Sequence, residues 1–336
     1  IDSAEHRRLT CADNRWARRW TQEWGLGPKS RTRTECSMNV ADRTESFQES
    51  VIRKMTRVAQ RYQGINLAQG FPEKDPPEEV IAEVLRAIQQ GQNQYSITWG
   101  LPALRQAVAG KFSRFAGMKA APETEITITC GCSEAIVATL MALVNPGERV
   151  IVFEPFYENY LPGLTLCGGI PEFVRLRDPN WSLDPDELKR AFARNPKAVL
   201  LNTPCNPSGK VFSREEMEML AAFCREHGTF VITDEIYEHI LYDGLEHVHM
   251  AALPGMWEQT VTISGISKSY SATGWRVGYA IAHHRLMAAI RKCHDYMVVC
   301  APTPFQMGAV VAMGLPDSYY EELREFYRER RDFMLK

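Results

Sequence analysis

The sequence predicts an α/β protein with a seven-stranded, mostly parallel sheet that lies between helices. Short runs rich in apolar and β-branched residues recur along the chain, and amphipathic segments of helical length separate most of them. Several of these runs are almost wholly apolar, which is typical of strands covered on both faces. The alternation of such strands with helices is the pattern of an α/β domain.

The predicted elements follow one another in chain order. Seven runs have the composition of strands, and they span residues 125–129, 149–153, 172–176, 198–202, 229–233, 260–264 and 276–281. A helix is expected to begin near Ser133 and to close before a Pro-Gly turn at residues 146–147. Ser213 is followed three residues later by a Glu, a capping-box spacing that predicts another helix, which closes before Gly228. A last helix is predicted over residues 317–336.

The composition argues against several classes of protein. The 336 residues suffice for about two domains, and 45% hydrophobic with 24% charged residues is ordinary for a globular chain. A net charge of −2 argues against a nucleic-acid-binding protein, and no apolar run approaches the roughly 18 residues of a membrane helix. The nine cysteines are scattered without a CxxC pair, which argues against a zinc site or a disulfide framework. We therefore expect a soluble cytoplasmic protein with no metal, nucleic-acid or membrane partner.

Residues 1–41 are expected to be an N-terminal extension. The segment begins with Ile, carries three Trp among basic residues and shows no clear period, and Met38 is the first methionine of the chain. The alternative is an arm that binds nucleic acid or a membrane surface.

Chemically versatile residues follow the predicted strands at the points where the strands end. These residues are Cys132, Ser133, Tyr157, Asn206, Asp234, Tyr237 and Lys268. Because ligands of such sheets bind beyond the carboxyl ends of the strands, we expect one rim to bring these residues together.

Four of the residues near this rim suit a phosphorylated, ring-bearing cofactor. A helix that opens near Ser133 after a glycine turn offers free N–H groups to a phosphate, although a plain N-cap is an equal alternative. Arg276 suits the same phosphate or a surface ion pair. Lys268 can form a Schiff base if it is desolvated, whereas an ordinary lysine in such a run is solvated. Asp234 ends an apolar strand, and a protonated pyridine nitrogen is a suitable partner for a buried carboxylate. Together these features describe a pocket for pyridoxal 5′-phosphate (PLP).

Three motifs carry a resemblance to a known family. Residues 206–209 (Asn-Pro-Ser-Gly), 234–237 (Asp-Glu-Ile-Tyr) and 267–278 (Ser-Lys-Ser-Tyr-Ser-Ala-Thr-Gly-Trp-Arg-Val-Gly) resemble the signature blocks of fold-type I PLP-dependent aminotransferases of class I/II. Residues 66–72 and 93–100 are similar to further blocks of the branch that contains kynurenine/glutamine, methionine and some aspartate aminotransferases. The resemblance runs from about residue 41 to the last residue.

The resemblance implies a role for each matched residue. Lys268 would carry the cofactor as a Schiff base and would later move the substrate proton. Asp234 would keep the ring nitrogen protonated. Asn206 and Tyr237 would bond the phenolic oxygen of the ring, and Tyr157 would stack on the ring face.

The resemblance also implies a phosphate site and a shared active site. The phosphate would be held by three residues, namely Cys132 through its backbone N–H, Ser133 and Arg276. Tyr95 would reach the phosphate of a neighbouring subunit, which implies a homodimer. Gly70 and Asn206 would lie beside the substrate carboxylate. One position departs from the family, because Gly265 stands where many relatives have a phosphate-binding Ser. Ser264 and Ser267 are both open as substitutes, and the alternative is a phosphate that is held less firmly.

The resemblance divides the chain into an N-terminal arm over residues 42–75, a large PLP-binding domain over 76–316 and the start of a small domain over 317–336. In the family, several dozen further residues complete the small domain and supply the arginine that pairs with the substrate carboxylate. The small C-terminal domain is therefore expected to be mostly missing. The last predicted helix has an apolar stripe that would pack against it, formed by Tyr320, Leu323, Tyr327 and Met334.

The expected function is transfer of an amino group between an L-α-amino acid and a 2-oxo acid by a ping-pong Schiff-base mechanism. Two alternatives stay open, a PLP-dependent β C–S lyase and a truncated PLP-binding protein with little activity. The substrate stays open as well. Phe71, Trp99 and Tyr160 suggest a pocket for large apolar or aromatic side chains, with core packing as the alternative role.

Overall fold

The structure is a computed structural model that describes residues 41–46 and 49–336. The extension expected over residues 1–41 lies outside the described residues except for its last position. Asp42–Ser46 form a short 3₁₀ turn. Glu45–Lys336 form one compact unit, and the domain boundaries expected from the sequence stay a prediction.

Seven strands form a single sheet in this unit. Their bounds are Ile126–Thr129 (β1), Arg149–Glu154 (β2), Ile170–Arg175 (β3), Ala198–Asn202 (β4), Phe230–Asp234 (β5), Thr260–Gly265 (β6) and Gly278–Ala282 (β7). The order across the sheet is β1-β7-β6-β5-β4-β2-β3. Strand β7 runs antiparallel to both of its neighbours, and the other adjacent pairs are parallel. All seven predicted strands are confirmed, each to within two residues at either end.

Ten α-helices lie among the described residues. Their bounds are Val51–Arg61 (α1), Glu78–Gln89 (α2), Pro102–Ala116 (α3), Gly131–Leu143 (α4), Tyr160–Cys167 (α5), Pro185–Phe192 (α6), Arg214–His227 (α7), His284–Val298 (α8), Thr303–Met313 (α9) and Asp317–Met334 (α10). The capping box predicted from Ser213 and Glu216 is present at the start of α7, and Gly228 ends that helix in the left-handed conformation. Within the described part of the chain, no helix is both long enough and apolar enough to cross a membrane.

The sheet is covered on both faces, as its apolar strands predicted. Along β4, Ala198 and Leu200 pack with α4, α5 and α8, whereas Val199 and Leu201 point to the other face and pack with α6 and α7. Helices α2, α3 and α9 cover that second face beside β1 and β7. The layers leave the carboxyl ends of the parallel strands open, which is where ligands bind in such sheets.

Helix α10 packs against the same unit through its first half. Tyr320 and Leu323 are buried, and the Oη atoms of Tyr320 and Tyr270 lie 2.6 Å apart in a hydrogen bond. The stripe was expected to pack against the small C-terminal domain. This expectation is wrong for Tyr320 and Leu323, because the rest of the unit already covers them. Met334, near the end of the stripe, is exposed.

Candidate active site

A cavity of about 620 Å³ opens at the carboxyl ends of the central strands. Nine of the ten residues predicted for the site line this cavity, namely Gly70, Cys132, Ser133, Tyr157, Asn206, Asp234, Tyr237, Lys268 and Arg276. Tyr95 does not line it, and its side chain is 81% exposed. The sequence motifs therefore converge on one rim, as expected.

The carboxyl group of Asp234 is buried at the end of β5. Tyr160 Oη donates a hydrogen bond to its Oδ2 at 2.9 Å, and the backbone N–H of Ile236 donates to its Oδ1 at 3.4 Å. Burial raises the pKa of this carboxyl to about 6, because the ionised form loses its hydration. A cationic group bound in the cavity would restore the ionised form.

Lys268 lies three residues beyond the end of β6. Its Nζ donates to the carbonyl oxygen of Gly70 at 2.9 Å and lies 5.8 Å from the centre of the Tyr237 ring. Burial lowers the pKa of this amine, and the charge of Arg276 acts in the same direction. A larger share of the amine is therefore neutral than for a solvated lysine, and the neutral form is the nucleophile.

An anion cradle forms where α4 opens against the start of β7. Gly131 has a φ of +80°, and a Cβ there would lie 2.2 Å from Nη2 of Arg276. The Arg276 guanidinium donates through Nη1 to the carbonyl of Thr273 at 2.9 Å. Position 278 also has no room for a side chain, since a Cβ added at Gly278 would lie 2.8 Å from the backbone N of Cys132. A helix N-terminus beside a guanidinium suits a phosphate group.

The departure at Gly265 has a steric explanation. A Cβ at this position would lie 2.8 Å from the carbonyl oxygen of Val277, so the backbone leaves no room for a serine side chain. Ser264 Oγ donates to Glu238 Oε1 at 2.8 Å and is buried. Ser267 lines the cavity and Ser264 does not. Of the two expected substitutes, Ser267 is therefore the one whose side chain is at the cavity, where a phosphate could bind.

Comparison with known proteins identifies the family. The model of the family "Aminotransferase class I and II" matches residues 62–336. The chain belongs to this family. Among its curated relatives, the kynurenine–oxoglutarate transaminase of Dictyostelium discoideum is 37% identical over 312 residues, which cover 87% of this chain and 72% of the relative. The methionine aminotransferase of Escherichia coli (strain K12) is 36% identical over 286 residues, which cover 85% of this chain and 74% of the relative.

Solved structures agree with the sequence comparison. The N-succinyldiaminopimelate aminotransferase of Mycobacterium tuberculosis superposes with a TM-score of 0.86 at 35% identity, covering 88% of this chain and 78% of the other. The predicted α/β fold and the predicted aminotransferase function are thus confirmed. Because these relatives are named as aminotransferases, the lyase and the inactive binding protein are not favoured.

Two of the three aromatic residues suggested for the aminotransferase's substrate pocket do not line the cavity. Tyr160 is buried and holds Asp234 through its hydroxyl group. Trp99 lies under the guanidinium of Arg291, with 4.8 Å between Cζ and the ring centre. Phe71 lines the cavity. The suggestion of an aromatic pocket is therefore wrong for Tyr160 and Trp99 in this cavity, since Tyr160 is bonded to Asp234 and the Trp99 ring lies against Arg291.

Sequence reasoning did not single out Asn202, the last residue of β4. Its Nδ2 donates to the backbone carbonyl of Asp234 at 2.8 Å, and its Oδ1 accepts from the backbone N–H of Asn206 at 2.6 Å. Asn202 thus ties the ends of two strands to the loop that carries Asn206. The available signal was a polar residue that ends an otherwise apolar strand.

Buried ion pairs hold the segment that follows Asp234. Lys111 Nζ lies 2.6 Å from Glu238 Oε1. Burial raises the pKa of Glu238, but Lys111 and the neighbouring His239 and His249 together outweigh burial and bring the pKa to about 2. Glu235 Oε2 lies 3.0 Å from His247 Nε2 and 2.6 Å from His249 Nδ1, which are hydrogen-bond distances. These contacts fix the position of the segment that follows Asp234.

Proposed function

We propose that this aminotransferase binds PLP in the cavity and transfers an amino group between an L-α-amino acid and a 2-oxo acid in two half-reactions of a ping-pong cycle. The single observation that carries the proposal is the convergence of Lys268, Asp234 and Arg276 on one cavity of suitable size. They supply an amine, a carboxylate and an anion-binding guanidinium.

The residues present fit each part of the cofactor. Gly131 and Gly278 let the Arg276 guanidinium and the backbone N of Cys132 approach closely, where any larger side chain would clash, and these donors would bind the phosphate. The buried Asp234 matches a protonated ring nitrogen, since such a cation would offset the loss of hydration that raises its pKa. When bound, PLP supplies an electron-accepting ring that stabilises negative charge at the substrate Cα.

The chain's own residues would bind, orient and move a proton. Lys268 Nζ would be the amine that holds the cofactor, and in its neutral form it would take the proton from the substrate Cα and return it. Asp234 would hold its negative charge against the ring nitrogen. Asn206 and Tyr237 would donate hydrogen bonds to the phenolic oxygen of the ring, and Tyr157 would cover one face of the ring.

The remaining predicted residues complete the site. The N–H of Cys132, the Ser133 hydroxyl group and Arg276 bind the phosphate, and Gly70 with Asn206 lies beside the substrate carboxylate. Tyr95 is exposed and outside the cavity of its own chain, which supports the proposal that it reaches the cavity of a second copy in a homodimer. A cytoplasmic location stays a prediction.

The decisive experiment is Lys268→Ala in the 336-residue chain. The wild-type protein with PLP is expected to form a link that borohydride fixes and that mass spectrometry maps to Lys268. The variant is expected to lack this link and to lose transamination by about a thousandfold or more, because it has neither the amine nor the base. Lys189→Ala, on the distant helix α6, is the control that should keep both properties. Transamination retained by the Lys268 variant would contradict the proposal.

A further inference from the structure

One wall of the cavity has no role in holding the proposed cofactor. It consists of the start of α1, residues 68–71 and the pair Glu158 and Asn159. Three cationic residues line the cavity within the described part of the chain, and they are Arg53, Lys268 and Arg276. Because Lys268 and Arg276 are engaged by the proposed function, Arg53 is the cation left for a substrate.

The Arg53 guanidinium is available to a ligand. Within residues 41–46 and 49–336 it takes part in no ion pair. Arg57, one turn further along α1, is by contrast paired with Glu49. The positive charge of Arg53 also acts on the hydroxyl group of Tyr157, where it opposes the rise in pKa that burial causes. Arg53 and Tyr157, the ring that is proposed to cover the cofactor, line the same cavity.

Polar contacts place Arg53 at the cavity. Helix α1 buries none of its residues, so apolar packing does not fix its position. Ser50 caps the helix by accepting from the backbone N–H of Arg53 at 3.2 Å, and it donates to Glu158 across the cavity wall. One turn on, Thr56 Oγ1 donates to Gln69 Oε1 at 2.9 Å.

The negative charge on this wall, the Glu158 carboxylate, already has a hydrogen-bond partner. Glu158 is the acidic residue of the wall, and its carboxylate accepts the hydrogen bond from Ser50. The Glu158 carboxylate is therefore held beside the helix cap, and it forms no ion pair with Arg53. Phe71, which is 59% exposed, offers apolar surface in the same wall. A ligand with a short aliphatic stem and a terminal carboxylate would match these two features.

We propose that Arg53 determines substrate specificity by pairing its guanidinium with the side-chain carboxylate of an acidic amino acid or of the matching 2-oxo diacid. The planar guanidinium binds both oxygens of a carboxylate, which a neutral amide cannot reproduce. This inference rests on the proposed function, and it replaces the aromatic substrates suggested by the sequence.

The test compares substrates that differ only in that charge. The rate constant kcat/KM is measured for L-glutamate against L-glutamine and for L-aspartate against L-asparagine, in wild-type protein and in Arg53→Met, Arg53→Lys and Arg57→Met. The acid-to-amide ratio is expected to fall by about tenfold or more in Arg53→Met, because one charge-assisted pair is lost. Arg53→Lys should keep part of the ratio, and the control Arg57→Met should keep all of it.

A second readout does not depend on turnover. Titration calorimetry with glutarate, an unreactive diacid, and with butyrate, its monoacid counterpart, should show weaker glutarate binding in Arg53→Met and a much smaller effect on butyrate. An unchanged acid-to-amide ratio would overturn the inference. An equal loss for acids and amides would overturn it too, because Arg53 would then hold the carboxylate common to all substrates.

The two proposals fail in different ways. If the wild-type chain with PLP forms no link at Lys268 and transaminates none of the four amino acids, the proposed function fails, while the glutarate titration still decides whether Arg53 binds diacids. If the wild-type chain transaminates the amides and Arg53→Met leaves the ratio unchanged, the inference alone fails.

Discussion

The two sides of the cavity are built differently. The side proposed to hold the cofactor consists of strand ends, where Asp234 and Glu235 are buried and are held by Tyr160 and two histidines. The opposite side begins with α1, which buries no residue. The first side inherits its geometry from the core of the sheet, whereas the second is held mainly by polar contacts.

This difference separates stability from specificity. A change on the strand-end side disturbs buried charges and close-packed backbone, so it should change the free energy of unfolding as well as activity. A change on the α1 side removes exposed contacts, so it should alter substrate choice at little cost to the fold. Variants on the two sides of the cavity should therefore differ in how much they change the free energy of unfolding.

The largest effect is expected from Lys111→Met on the strand-end side. The change leaves the buried Glu238 carboxylate without its cation, and breaking a buried pair in this way typically costs about 3–5 kcal/mol of unfolding free energy. Urea unfolding monitored by circular dichroism measures the loss.

Two further variants make this prediction specific. Lys111→Met combined with Glu238→Gln is expected to recover part of the loss, because the unpaired charge is gone. Arg57→Met on α1, where the ion pair is exposed, should change the unfolding free energy little. An equal loss in Arg57→Met would remove the distinction between the two sides.

The strand-end side could be predicted from the sequence, whereas on the α1 side the sequence indicated Gly70 and Phe71 but not Arg53. Apolar strands predicted the sheet, and their polar ends predicted Asp234 and Lys268, because local pattern and strand direction are enough to bring such residues to one edge. Arg53 gave no such signal, since its role depends on where an exposed helix lies in three dimensions. Asn202 was missed because a single polar residue at a strand end has several possible roles.

The next largest effect is a pH dependence at Asp234. Its pKa is about 6 in the folded chain against 3.8 for an ordinary aspartate. As pH rises through this interval the unfolded chain releases the proton first, so this group lowers the stability of the cofactor-free protein. Asp234→Asn removes that effect. Relative to wild type, the variant is expected to gain about 2–3 kcal/mol of unfolding free energy between pH 4 and pH 7.

The measurement is a series of urea unfolding curves for both cofactor-free proteins across that pH range. The gain in stability should accompany a loss of transamination, since the same charge is proposed to hold the ring nitrogen. A stability difference that stays constant with pH would show that burial does not shift this carboxyl group. Burial of the Asp234 carboxyl group would then not destabilise the cofactor-free protein, and a bound cation would have no such destabilisation to offset.

The smallest change in global stability is expected from Ser50→Ala on the α1 side. The variant loses the helix cap and the tie to Glu158, but no core contact depends on α1. Amide hydrogen exchange in Val51–Arg61 is expected to speed up by about tenfold, because local opening of an exposed helix is governed by its own few contacts. The urea midpoint should hardly move.

Ser213→Ala provides the matched comparison for that last prediction. It also removes an N-cap, but α7 packs Met217 and Leu220 into the core, so the loss of about 1 kcal/mol should appear in global unfolding. If Ser50→Ala lowered the urea midpoint as much as Ser213→Ala does, α1 would be part of the cooperative core. Its position at the cavity would then be set by the fold, and the separation of specificity from stability would not hold.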